Sequence, residues 1–431
     1  MKPVRIGLLG CGTVGGGVIQ LLEANATYLA SRVGAPLEVA RVLVRRGEKK
    51  RVPELNRALV TTKATDVLED ESLDLIVEVM GGVDPARSYV ERAIQSGRSV
   101  VTANKMLLAA HGPALVDQAV AAGVDLAFEA SVGGGIPIIR VLREAFASDW
   151  VTSLSGIVNG TCNFILSRMQ KDGLAFEDVL AEAQAKGYAE ADPSLDIDGH
   201  DAAHKLVVLA MLAFGARVDA DRVPTEGIRH IAASDHAFAS RFGYVIKHLA
   251  IGRDHGDSIE LRVHPVLVPK DTMLASVGGV LNAISLEGRA LGPCLLSGRG
   301  AGDMPTAVSV VADVVDVARA RRNGTGGLTT RGIQLAAREL RPLAEVKTRY
   351  YLRFQVYDRP GVLGRIASDL GACGVSIEKM VQEGRGDVSG LPVQIVILTH
   401  EARESDVQKA LAIVAAYDFI ATPNVVIRIE E

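Results

Sequence analysis

Residues 4–18 read VRIGLLGCGTVGGGV, an apolar run that breaks into Gly10, Gly12 and Gly15 before a helical pattern begins. The glycines stand in G-x-G-x-x-G spacing directly after what reads as a first strand. In that setting the first glycine makes a tight turn and the second lets backbone approach a pyrophosphate. The third lets helix pack on strand, and the helix N-terminus stabilises phosphate charge. The spacing by itself also suits a plain structural turn; the strand before it and the helix after it favour a nucleotide site. The same stretch resembles a secretory leader only superficially, because its apolar run is short and broken by glycine.

Outward from this loop, LEVARVLV, LDLIVEVM, SVVTAN and VDLAFEA read as further strands, with helical stretches between several of them. Nearly continuous Val, Ile and Leu in strands separated by helices predicts a parallel sheet covered on both faces. The expected fold class is α/β, opening with a Rossmann-type parallel sheet over residues 1–130. From SVGGGIPIIR the pattern changes: a strand in TSLSGIVNG, helices through about residue 250, then an antiparallel-looking SIELRVHPVLVP. This predicts an α+β domain over 131–302, to which the family resemblance given below assigns catalysis and dimerisation, with the chain returning to the first domain at about 303–320. Residues 321–348 read as a polar linker. From 349 to 431 a β-α-β-β-α-β order predicts a ferredoxin-like unit.

Composition bounds the function. At 431 residues the chain suits about two to three domains. A hydrophobic share of 48% and a charged share of 23% are those of a folded chain. The formal charge of −4, without a block of like charge, implies neither nucleic acid nor a membrane surface as partner. No apolar stretch approaches the roughly 20 residues of a membrane span. Cys11, Cys162, Cys294 and Cys373 lie far apart, which argues against zinc and a disulfide framework and for a reducing, cytoplasmic setting.

The second strand ends at Arg45 and Arg46. An acid there holds the ribose 2′-hydroxyl of NAD, whereas arginine accommodates a 2′-phosphate, so NADP(H) is favoured. Glu48 follows closely and leaves NAD(H) open; the two arginines can also be solvated strand-end charges. Asn104 and Lys105 in VTANK fall at the carboxyl end of a strand, the edge where open α/β sheets bind ligands.

Residues 187–205, GYAEADPSLDIDGHDAAHK, concentrate acids before a lysine. Set in EF-hand register, the position that requires a bidentate glutamate is Lys205, and an ammonium repels calcium. The run that follows is too apolar for a solvated surface. Asp201 and Lys205, four apart at the head of that helix, can pair. A desolvated lysine can stabilise an alkoxide and deliver its proton. Glu190 and Asp196 suit a substrate ammonium, and Asp192 and Asp198 read as structural, with Asp198 placed to cap the helix.

With AQAKGYAEADPSLDIDGHDAAHK the chain resembles the homoserine dehydrogenase family. GLLGCGTVGGGV, VTANK, FEASVGGGIPIIR, GIVNGTCNFIL and GRGAGDMPTA resemble that family's segments in the same order. The resemblance implies NAD(P)-dependent interconversion of L-aspartate 4-semialdehyde and L-homoserine, on the route to threonine, methionine and isoleucine. It implies Lys205 as acid/base with Asp201 beside it, and Lys105 at the nicotinamide–substrate junction. Glu190 and Asp196 then bind substrate, Thr13 and Val14 line the cofactor, and Gly302 closes over it. It further implies a sodium-type monovalent cation at Glu129, Val132, Gly134 and Ile136, although a glycine-rich turn there can equally be a plain loop. YDRPGVLGRIASDLGACGVSIEKMVQ resembles the ACT domain, with Asp358, Arg359, Pro360 and Gly361 at its turn and Gly374 before its second strand. That implies feedback by an amino acid, threonine first, or pure oligomerisation, and a homodimer or homotetramer. Another amino-acid semialdehyde reductase, which would not need the 187–205 pattern, and a catalytically inactive amino-acid sensor are the competing readings.

Overall fold

A computed structural model describes residues 2–47, 52, 55–383 and 391–430. The principal strands in chain order are β1 (Val4–Leu9), β2 (Leu37–Leu43), β3 (Val60–Thr61), β4 (Leu75–Glu78), β5 (Ser99–Thr102), β6 (Leu126–Ala127), β7 (Tyr244–Asp254), β8 (Ser258–Pro269), β9 (Lys347–Val356), β10 (Ile377–Glu383), β11 (Val393–Thr399) and β12 (Val425–Ile429). The principal helices are α1 (Thr13–Ala24), α2 (Lys105–Ala122), α3 (Gly160–Asp172), α4 (Ser194–Ile197), α5 (His200–Ala213), α6 (Asp303–Arg322), α7 (Val362–Ala372) and α8 (Glu404–Ala415). The chain divides into two compact units, one of Met1–Leu154, Ala203–Val223 and Asn282–Arg338, the other of Ser155–Ala202, Pro224–Leu281 and Glu339–Glu431.

The first unit holds a six-stranded sheet in the order β3-β2-β1-β4-β5-β6. Its strands pair in parallel, with Ile6 opposite both Val39 and Leu75 and Val100 opposite Leu126. The order reverses at β1, which puts a ligand crevice beyond the carboxyl end of that strand. Ile6, Leu8 and Val77 from the sheet share a core with Val18 of α1 and Val310 and Val314 of α6. The late helix α6 thus belongs to the nucleotide-type sheet. Its contact with α1 is close: a Cβ on Gly17 would lie 3.0 Å from Ala307 Cβ.

The second unit is built on a hairpin. Strands β7 and β8 pair antiparallel along their length, from Ile259 opposite Asp254 to Pro269 opposite Tyr244. The helical pattern expected through about residue 250 therefore stops earlier. YVIKHLAIG is an apolar run whose period does not separate helix from strand, and pairing with β8 decides it. Strand β12 joins the other edge of β8 in parallel, Val266 opposite Arg428, and the sheet continues β12-β9-β11-β10. Those last four strands with α7 and α8 are the ferredoxin-like unit. Its core is Leu352, Phe354, Ile366, Ile395 and Val407.

This shared sheet explains why the C-terminal module clusters with residues 155–202 and 224–281, so that the packing units cut across the three expected segments. The stretch expected as a linker also carries short pairings: Ala336–Ala337 with Ala216–Arg217, and Glu339–Leu340 with β8. Two buried ionic groups tie module to hairpin region. Asp235 accepts from Arg353 Nε at 2.6 Å, Arg353 Nη2 at 3.1 Å and Tyr351 Oη at 2.8 Å. Arg428 on β12 donates to Glu226 and Glu404.

Candidate functional site

The glycine loop meets the steric demands of its motif. A Cβ on Gly15 would stand 2.4 Å from the Gly10 carbonyl oxygen, so only glycine lets α1 start this close to β1. At Gly12 a Cβ would meet nothing within 4 Å, leaving the exposed head of α1, Gly12 and Thr13, open to a ligand. Val14 and Gly15 follow in the first turn. Gly10 N–H bonds to the Leu43 carbonyl at 3.0 Å, fastening the loop to the end of β2, where Arg45 and Arg46 are exposed. Glu48 lies outside the described residues. Gly302 is the N-cap of α6, the helix that packs on α1.

Lys105 is the first residue of α2, at the carboxyl edge of the same sheet. Asn104 caps the helix, its Oδ1 accepting from Leu107 N–H at 3.1 Å, and its Nδ2 donates to the Gly82 carbonyl at 2.6 Å. Behind it sits a residue the motif reading passed over. Glu78, wholly buried at the end of β4, accepts from Thr102 Oγ1 at 2.6 Å and Met80 N–H at 2.7 Å. Burial pushes its carboxyl up against those bonds, which pull it down. The only hint in sequence is an acid ending the otherwise apolar LIVE. Helix α2 also touches α5, because a Cβ on Gly112 would lie 3.4 Å from Met211 Sδ. Lys205 is buried on α5, in the same unit as Lys105.

The loop 129–136 is glycine-turned for a steric reason. Gly134 has φ +54°, and a Cβ there would lie 2.6 Å from the Gly300 carbonyl. Its own carbonyl accepts from Ser309 Oγ at 2.6 Å, and that of Ile136 accepts from Ile138 N–H at 2.8 Å. Each carbonyl keeps a second lone pair. The Glu129 carboxylate is engaged elsewhere, accepting from the N–H groups of Ile139 at 2.9 Å and Arg140 at 2.8 Å. Beside it, Asp313 accepts from Glu129 N–H, and burial pushes its carboxyl up to about 7. With the Glu129 carboxylate engaged by two N–H groups, a hard cation at this loop would draw on main-chain oxygens such as those of Gly134 and Ile136 and not on that side chain.

In the second unit the acidic stretch sorts by partner. Asp196 on α4 and Asp201 on α5 meet one side chain: Asn159 Nδ2 donates to Asp196 Oδ1 at 2.7 Å and to Asp201 Oδ2 at 2.8 Å. Asn159 is 4% exposed and caps α3, its Oδ1 accepting from Cys162 N–H at 2.9 Å. Thr161 Oγ1 lies 2.7 Å from the Tyr188 carbonyl and 3.3 Å from Asp196 Oδ2. Asp201 is 1% exposed, four residues before Lys205 on one helix. Glu190 is exposed on the preceding loop, whose carbonyl there accepts from Gln184 Nε2 at 3.1 Å. Asp198, expected as a helix cap, is engaged by Arg229 through Nε–Oδ1 at 2.5 Å and Nη2–Oδ2 at 3.0 Å. Asp192 accepts from Ser194 N–H at 3.1 Å. The pattern reading missed Asn159; its signal was an Asn-Gly-Thr set between a strand and a helix.

Residues 137–315 match the family model of homoserine dehydrogenase, 10–129 its NAD-binding domain and 350–418 the ACT domain. A homoserine dehydrogenase of Pseudomonas aeruginosa is 43% identical over 435 residues, covering 100% of both chains. The chain belongs to the homoserine dehydrogenase family. A crystal structure of homoserine dehydrogenase from Thiobacillus denitrificans is 44% identical, with a TM-score of 0.92 over 100% of this chain and 99% of that one. A hyperthermophilic archaeal homoserine dehydrogenase in complex with NADPH is 25% identical, with a TM-score of 0.61 over 73% of this chain and 98% of that one. As a homoserine dehydrogenase the chain is an oxidoreductase. Within that family its 187–205 stretch is a set of carboxylates sorted into Arg229-bound, Asn159-bound and exposed.

Proposed function

We propose that this chain catalyses the reversible reduction of L-aspartate 4-semialdehyde to L-homoserine, with Lys205 as the acid/base group. The observation that carries the reading is the pairing of Asp196 and Asp201 on one buried amide, with Lys205 one turn further along α5. NAD(P)H, when bound, supplies the hydride to the aldehyde carbon. The Lys205 ammonium stabilises the developing alkoxide and delivers a proton to that oxygen; in the reverse direction its amine takes the hydroxyl proton. Asp201 holds the lysine in place, while Asp196 and Glu190 bind the amino and hydroxyl ends of homoserine. Lys105 stands at the junction of nicotinamide and substrate.

Gly10, Gly12, Thr13, Val14, Gly15 and Gly302 surround the cofactor, and exposed Arg45 and Arg46 favour the 2′-phosphate of NADP(H) over NAD(H). Carbonyls of Glu129, Val132, Gly134 and Ile136 hold a sodium-type ion. Residues 1–130 with 303–320 serve the nucleotide, 131–302 the substrate and dimer contacts, and 349–431 an amino-acid effector, threonine first. A cytoplasmic homodimer or homotetramer completes the proposal. Two other readings, a different semialdehyde reductase and an inactive sensor, are disfavoured by the intact lysines and acids.

The test is homoserine-dependent reduction of NADP⁺ and NAD⁺, followed by absorbance, for wild type and Lys205→Ala. Wild type is expected to turn over with NADP⁺ preferred, and the variant to lose about 10²- to 10⁴-fold in kcat. No homoserine-dependent signal in wild type sinks the reading. Full turnover in Lys205→Ala removes that residue from the proton transfer.

A further inference from the structure

We propose that Asn159 is a positioning residue for the reaction, holding a substrate-binding acid and the acid beside the catalytic lysine in one fixed relation. This rests on the roles proposed above for Asp196 and Asp201.

Each atom of the Asn159 amide has a distinct task. Its two N–H bonds go to different carboxylates, Asp196 Oδ1 at 2.7 Å and Asp201 Oδ2 at 2.8 Å. Its oxygen accepts from Cys162 N–H at 2.9 Å and so caps α3. A carboxamide carries two donors and an acceptor on one planar group, which neither a hydroxyl nor a carboxylate does. The group is 4% exposed, so water does not replace either bond readily. Helix α3 is a rigid anchor: Cys162, Phe164, Ile165, Leu166 and Met169 pack in the core of this unit. The amide therefore transmits the position of α3 to two acids on separate helices, α4 and α5. It also interposes positive hydrogens between two like charges that would otherwise repel.

The helix cap and the acid bridge can be separated by substitution. Asn, Asp and Ser cap helices about equally well. Asn159→Ser keeps the cap and loses the two-armed donor. Asn159→Asp keeps the cap and the shape, but sets a third carboxylate against the other two. If the residue only caps α3, both variants stay near wild type.

The measurement is steady-state kinetics with L-homoserine and NADP⁺ for wild type, Asn159→Ser and Asn159→Asp, together with thermal melting of each. Loss of charge-assisted bonds to two acids predicts a fall in kcat/KM for homoserine of about 10- to 100-fold in Asn159→Ser. Asn159→Asp should fall further, with KM for NADP⁺ unchanged in both and the melting temperature of Asn159→Ser close to wild type. The order Asn > Ser > Asp in kcat/KM supports the proposal. Wild-type kinetics in both variants overturns it, as does a loss confined to NADP⁺ binding. A wild-type enzyme with no homoserine turnover instead removes the functional reading beneath it, a distinct failure visible in the first arm.

Discussion

Replacing Arg428 by methionine should cost the second unit several kcal/mol and should cost more at neutral than at acid pH. The guanidinium is 1% exposed on β12 and makes four bonds: to Glu404 at 2.7 Å and 2.6 Å, and to Glu226 at 3.0 Å and 2.8 Å. Methionine matches the stem but strands both acids. The Glu226 side chain is 35% exposed, so water takes over much of its share. That of Glu404 is 4% exposed and keeps, among the described residues, Tyr350 Oη at 3.0 Å and Gln408 Nε2 at 2.8 Å. Removing one partner of a buried pair costs about 3–5 kcal/mol; with only one acid deeply stranded, a loss of about 3 kcal/mol is expected.

The pH sign follows from Glu404. Burial pushes its carboxyl up, but the hydrogen bonds and charge of Arg428 outweigh this and leave it lowered. In wild type the acid therefore contributes stability above its unfolded value of 4.5, and that contribution is lost as pH falls through the lower folded value. Without Arg428, burial, the largest influence on this carboxyl, is opposed by the bonds from Gln408 and Tyr350 alone; the sign should then reverse, with stability lost as pH rises above 4.5. The deficit of Arg428→Met should thus grow from pH 5 to pH 7. Adding Glu404→Gln removes the stranded charge, keeps one acceptor oxygen for Tyr350, presents its NH2 to Gln408, whose amide can turn its own oxygen to accept, and should recover about 1–3 kcal/mol.

Urea unfolding followed by far-ultraviolet circular dichroism measures both variants, because the only tryptophan, Trp150, lies in the other unit. A loss below about 1 kcal/mol, or a double variant less stable than Arg428→Met, would refute the reasoning. The perturbation should also reach substrate. The segment after Glu226 packs directly on α4: Ile228 N–H bonds to the Ile197 carbonyl at 2.9 Å, next to Asp196, and a Cβ on Gly227 would lie 2.3 Å from that same carbonyl oxygen. A raised KM for homoserine at unchanged KM for NADP⁺ is expected.

Two further tests address the first unit. Gly15→Ala would drive a Cβ to 2.4 Å from the Gly10 carbonyl and should lower both melting temperature and nucleotide affinity, whereas Gly12→Ala, with open space around it, should weaken nucleotide binding alone; equal melting of the two variants contradicts the steric account. Asp313 has its carboxyl pushed from 3.8 up to about 7 by burial, so its ionisation costs stability progressively as pH rises between those values. Asp313→Asn keeps an acceptor for Glu129 N–H and should gain on wild type by about 2 kcal/mol or more between pH 5 and 8, read from denaturant midpoints; a pH-independent difference rules this out.

How much of this was legible in advance differs by element. The parallel strands declared themselves because burial on both faces demands unbroken Val, Ile and Leu, and the ferredoxin-like order of 349–431 showed in the same way. The hairpin strand Tyr244–Asp254 did not, since an apolar run without a clear period fits helix or strand until a partner is known. Among the site residues, charge and spacing were visible for Lys205, Asp201 and Asp196. Glu78 and Asn159 were not, because a single buried polar residue has a role only through what surrounds it.

The local order of the chain was determined by the sequence itself: the glycine loop after β1, the acids before Lys205, and the turn at Asp358–Gly361. These depend on backbone sterics and on neighbours within a few residues, which a linear pattern carries. Tertiary structure alone decided which acid serves which partner. Arg229 claims Asp198 from 31 residues away, and Asn159 joins Asp196 to Asp201 across 37 and 42. It also decided that β12 closes onto β8, binding the C-terminal module into the sheet of the second unit. Long-range hydrogen bonds have no period, so only the folded chain shows where they fall.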